Sequence, residues 1–119
     1  MVSDKHNQIY TELFNYMKSI YPALHGGTNY RDGESKLPYL YFFQLDAPTR
    51  LTTLSNTEDG ISLGFQIEIY SDKENTSRIM SNSVREYMIE QGFRCRGFRP
   101  IQSASNVSRF VGRYERLDV

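Results

Sequence analysis

The clearest pattern in the chain is the alternation that runs from Ile61 to Tyr70. Ile61, Leu63, Phe65, Ile67 and Ile69 are large and apolar, and Ser62, Gly64, Gln66 and Glu68 stand between them. A period of two predicts a β-strand with one face in a core and the other toward solvent. Ser71 and Asp72 follow, both residue types that cap helices. A helix is predicted next, from about Lys73 to Gln91. Met80, Val84, Tyr87 and Met88 make its apolar stripe with Ile79 beside it, while Arg85, Glu86 and Glu90 lie on the other side. Gly92 is suited to end that helix in a left-handed conformation, and Phe93 to pack back on its end.

Patterned segments extend in both directions from this unit. Ser3 or Asp4 caps a first helix running to about Ser19, whose stripe is Ile9, Leu13, Met17 and Ile20 with Tyr10, Phe14 and Tyr16 alongside. Tyr21-Pro22 ends it, because the residue before proline is pushed out of helical geometry. His25 to Lys36 is a loop by composition. Tyr39 to Leu45 is a dense aromatic run, predicted as a strand and closed by Asp46-Ala47-Pro48. Residues 49–60 mix extended-chain and turn signals and read as a hairpin arm with an exposed tip. Phe93 to Ile101 is a short strand bent at Gly97, and Val107 to Leu117 a final one. In that last strand Phe110 and Tyr114 face one way, and Arg109, Arg113 and Glu115 the other. The predicted order is α-β-β-α-β-β. This is a small α+β fold, a mainly antiparallel sheet with two helices packed on one face, in a single domain over residues 1–119.

Composition narrows the function classes. The chain has 119 residues and is 39% hydrophobic, enough for one modest core and compatible with further burial in an oligomer. Net charge is zero, but unevenly spread. Residues 1–91 hold 8 basic and 12 acidic groups, a balance of −4, and residues 92–119 hold 6 arginines and 2 acids, a balance of +4. Such a basic end suits a nucleic acid, and equally a contact in which one subunit's acidic face meets another's basic face. A sequence pI near 6.7 is low for a nucleic-acid binder. The amino-terminal residues form no apolar signal region, and no apolar run approaches the roughly 20 residues of a membrane span. Cys95 is the only cysteine, so no intrachain disulfide is possible. A cytosolic protein is expected.

Candidate chemistry is sparse. His25-Gly26-Gly27-Thr28 hints at anion binding but lacks the glycine spacing and the Lys-Ser or Lys-Thr of a phosphate loop. His6, His25 and Cys95 are too scattered for a metal site. A nucleophilic Cys95 would need a histidine base nearby. Asp32/Glu34 and Glu58/Asp59 pair carboxylates, but in turn-like segments rather than a recognisable cleft. Arg96-Gly97-Phe98 opens like an RNA-recognition strand, and Arg99-Pro100 breaks the match. No catalytic residue, cofactor or metal is expected. The candidate interface residues are Arg50, Leu51, Leu54, Glu58 and Asp59 on the arm, with Arg94, Arg96, Arg99, Arg109 and Arg113 on the last two strands.

The layout as a whole resembles phage tail terminator proteins, also called tail completion or minor capsid proteins of long-tailed phages and prophages. The residues that carry the likeness are Gln66-Ile67-Glu68-Ile69-Tyr70-Ser71-Asp72-Lys73-Glu74, the Gly92-Phe93 helix end, and Arg109-Phe110-Val111-Gly112-Arg113-Tyr114-Glu115. The resemblance implies a non-enzymatic virion protein at the head-proximal end of the tail, assembled in the host cytoplasm. It implies a ring, typically of six copies, that caps the tail tube, ends its polymerisation and offers a surface for head joining. The implied partners are other copies of the chain, the tail tube protein and a head-completion or connector protein. DNA would pass through the ring without specific binding, and no membrane is involved. The alternative from the residues themselves is a small nucleic-acid-binding module using the arginine-rich strands.

Overall fold

The alternating stretch forms the middle strand of a five-stranded sheet. A computed structural model describes residues 2–27, 36–44, 61–101 and 107–118. In chain order its elements are α1 (Val2–Ile20), β1 (His25–Gly27), β2 (Tyr39–Gln44), β3 (Ile61–Ser71), α2 (Glu74–Glu90), β4 (Arg94–Ile101) and β5 (Ser108–Asp118). The strand order is β1-β2-β3-β5-β4. β1 pairs parallel to β2, and the other three pairings are antiparallel. The fold is α+β with a mixed sheet. The order differs from α-β-β-α-β-β by the extra edge strand β1, in residues whose Gly-Gly composition reads as loop. The arm predicted over 49–60 lies outside the described residues.

β3 shows why the alternation matters. Leu63, Phe65, Ile67 and Ile69 are at most 2% exposed, each burial worth about 1.5–3 kcal/mol. They share one core cluster with Leu40 and Phe42 of β2, Tyr114 of β5, Leu13 and Met17 of α1, and Met80, Val84 and Met88 of α2. Both helices therefore cover the same face of the sheet. Phe65 sits at its centre, with ring centroids 4.8 Å from Phe42 and 5.6 Å from Phe93. The predicted stripes are narrower than expected: Ile20 and Ile79 are exposed.

The helix ends differ in how far they follow the sequence. α1 begins at Val2, before the Ser3 and Asp4 predicted to precede it. α2 is preceded by Lys73, with no side-chain cap. Ser71 instead ends β3, is buried, and its Oγ accepts from the Lys73 backbone N–H at 3.2 Å. The far end is as predicted. Gly92 has φ +92°, its N–H reaches the Ile89 carbonyl at 3.0 Å, and the Phe93 N–H reaches Met88 at 2.9 Å. That paired pattern is a Schellman motif, and Phe93 packs into the core beside Met88.

β4 and β5 carry the arginines. The ladder slips between Cys95 and Gly97, so Arg96 is the extra residue of a bulge. Pro100 is tolerated because β4 is an edge strand. Gly112 is paired with Ile67 and Phe98, and a Cβ there would lie 2.5 Å from the Tyr114 Oη. The buried Tyr114 ring lies over the backbone that Gly112 leaves bare. Among the described residues, no helix is long and apolar enough to cross a membrane.

Candidate functional site

The sheet face turned away from the helices is where polar groups converge. β3 places Gln66, Glu68 and Tyr70 there, and simple alternation would leave them wet. They are 7%, 1% and 9% exposed. Such burial needs full hydrogen bonding, and the register supplies it. Arg109 pairs with Tyr70 and Arg113 with Gln66 across the β3–β5 ladder. The Glu68 Oε1 accepts from Arg109 Nε at 2.8 Å and from Tyr70 Oη at 2.7 Å. Its Oε2 accepts from Arg109 Nη2 at 3.0 Å and from the Gln66 amide. Gln66 passes the connection on, its Oε1 accepting from Arg113 Nε at 2.9 Å.

This hub fixes charge. Burial alone would push the Glu68 carboxyl up, but the bonds from Arg109, Tyr70 and Gln66, with the charge of Arg109, hold it below its ordinary value. Its bonds to Glu68 push Arg109 up against the opposing effect of burial. Arg109 also lies over the Tyr70 ring, 5.8 Å from the centroid. The two-toothed Arg109–Glu68 pair is the geometry that guanidinium favours.

Beside the hub lies a cleft of about 350 Å³, lined by Gln66, Ile101, Val111 and four arginines, Arg96, Arg99, Arg109 and Arg113. Arg109 is neutralised by Glu68. Arg96 meets Glu115 at 3.2 Å with both side chains exposed, a contact that contributes little in water. Among the described residues, Arg99 has no ion-pair partner, and Arg113 bonds only to the neutral Gln66 amide. The cleft thus carries two cations whose charge no carboxylate among the described residues offsets, one of them held in place by the hub.

Of the expected interface residues, the structure gathers Arg96, Arg99, Arg109 and Arg113 into this cleft. Arg94 is exposed on β4 beyond the bulge, opposite Glu115, and does not line it. Arg50, Leu51, Leu54, Glu58 and Asp59 lie outside the described residues. The sequence gives no reason to place Glu68, Gln66, Tyr70 and Glu115 among the candidate interface residues. Glu68 and Arg109 are 41 residues apart, and only the pairing register joins them.

Elsewhere among the described residues the surfaces offer little chemistry. Cys95 and His25 sit on the two opposite edge strands, on the order of 19 Å apart at the usual strand spacing. The Cys95 thiol is half-buried and donates to the Gly97 carbonyl at 3.5 Å. Burial pushes the neighbouring Tyr114 hydroxyl well up. A smaller cleft of about 140 Å³, between α1 and the end of α2, holds Gln8, Glu12, Gln91 and Arg116, groups largely bonded to one another. Among the described residues, no three potential metal ligands converge. No family model and no curated protein matches the chain.

Proposed function

We propose that this chain is a structural subunit of a phage tail, one copy in a ring that caps the tail tube, ends its polymerisation and offers the joining surface for the head. The ring is typically six copies in the family that the sequence resembles. The observation that supports this most is the cleft face of the sheet. It joins a satisfied, rigid polar hub to two arginines, Arg99 and Arg113, that lack a carboxylate among the described residues. Rigid scaffold and unspent charge are what a recognition surface needs. A catalytic site would instead bring a nucleophile and a base together, and Cys95 and His25 stand on opposite edges.

In this reading the protein has no catalysis of its own and no cofactor. Its partners are other copies, the tail tube protein and a head-completion or connector protein, with DNA passing through the ring. Light scattering after size exclusion, with negative-stain imaging, tests it: closed rings support the ring, and a monomer at every concentration overturns it. A second reading, a nucleic-acid-binding module, draws on Tyr41 and Phe43, which lie on the same sheet face as the arginines with ring centroids 5.0 Å apart. Aromatics beside cations suit single-stranded nucleic acid. Salt-dependent binding of single-stranded DNA by the free protein, with no self-association, would favour it over the ring.

A further inference from the structure

Resting on the ring reading, we propose that the outer side of α2, near its carboxyl end, docks into the arginine-lined cleft of a second copy of this chain. The contact is charge-complementary and head-to-tail.

The donor surface is built by helix geometry. Ser77, Met80, Ser81, Val84 and Met88 are buried and define the inner side of α2. At 3.6 residues per turn, Glu86 then points outward, with Ile89 and Glu90 flanking it and Ile79 two turns earlier on the same line. Ile79 is 47% and Ile89 45% exposed, and Glu86 and Glu90 are exposed as well. Two carboxylates four residues apart repel each other. The last turn of α2 contains no basic residue, where the helix dipole favours a cation. Arg116 reaches the Gln91 carbonyl at the helix end, at 2.7 Å. Among the described residues, however, neither glutamate has an ion-pair partner. The free subunit therefore keeps negative charge and exposed isoleucine together, an arrangement that docking would relieve.

The receptor matches in kind and in number. Ile101 and Val111 give the cleft apolar surface, and Arg99 and Arg113 give it two cations without carboxylate partners among the described residues. Gln66, itself bonded to Glu68, holds Arg113 before any partner arrives. Less side-chain freedom is then lost on binding. Two glutamates beside exposed isoleucines complement two arginines beside apolar residues.

The two surfaces lie on opposite sides of the sheet, because α2 covers the face that the cleft does not. One chain cannot satisfy itself, and each docking leaves one surface free on either copy. The contact is therefore heterologous, and it closes into a ring where the rotation between copies allows.

The test uses full-length chains and native mass spectrometry. The cleft variant carries Arg99→Glu and Arg113→Glu, and the helix variant Glu86→Arg and Glu90→Arg. Circular dichroism checks the fold of each. Arg99→Glu alone, at an exposed site, serves where the double cleft variant does not fold, with at least about tenfold weaker self-association expected. Each double variant alone should lose the ring mass of the wild type. Mixing the two in equal amounts should restore it, as should all four substitutions in one chain. Ring mass retained by both variants, or not restored on mixing, overturns this contact and leaves the ring reading standing. A wild-type chain that stays monomeric overturns both. Single-stranded DNA binding lost only in the cleft variant, with ring mass unchanged, overturns the contact and gives the cleft to nucleic acid.

Discussion

Glu68 is the residue on which the cleft face depends. It is a carboxylate inside a sheet, tolerable because Arg109, Tyr70 and Gln66 all bond to it. Removing one partner of a buried pair strands the other. Arg109→Met should therefore lower stability by about 3 kcal/mol, read from urea unfolding at neutral pH. Glu68→Gln tests the electrostatics. The folded carboxyl lies below its unfolded value. The stability it contributes is thus complete above the unfolded pKa, about 4.3, and is lost as pH falls through the folded one. The wild type should weaken steeply through that acid window, and Glu68→Gln distinctly less, in unfolding midpoints at neutral pH and at about pH 3. None of this was visible at residue level in the sequence. Glu68 reads as the solvent side of an alternating strand, because pairing register is a tertiary fact.

At the scale of elements, the long periodic segments were legible and the short ones were not. β3 and α2 appear where their patterns put them, since burying an apolar face is what fixes both. The Gly92-Phe93 stop was legible because a positive φ demands glycine. β1 was not, because three residues carry no periodicity. The Ser71-Asp72 cap failed because β3 runs one residue further and buries Ser71. The glycines separate these effects. Gly112→Ala should cost about 1–3 kcal/mol through its clash with the buried Tyr114, and Gly92→Ala about 1 kcal/mol through backbone strain. Gly97→Ala should be close to neutral, since nothing lies within 4 Å of its added Cβ. Thermal melting of the three variants side by side reads the order.

For the whole molecule, the polarity of charge is the organising property. The −4 balance of residues 1–91 and the +4 balance of residues 92–119 foreshadow it, and the sheet adds what sequence could not, gathering four of the six carboxyl-terminal arginines into one cleft. The arm over 49–60, expected to carry half of the interface, lies outside the described residues. Binding between exposed arginines and glutamates is screened by salt, to a Debye length of about 3 Å at 1 M. Self-association should therefore weaken steeply as salt rises, in sedimentation at a fixed protein concentration. The proposed function requires assembly into a closed ring. Native mass spectrometry of the free protein at low salt tests it most directly. A single discrete species of several 13.9 kDa chains, six in the expected case, is the predicted result. A lone 13.9 kDa chain at every concentration would contradict it.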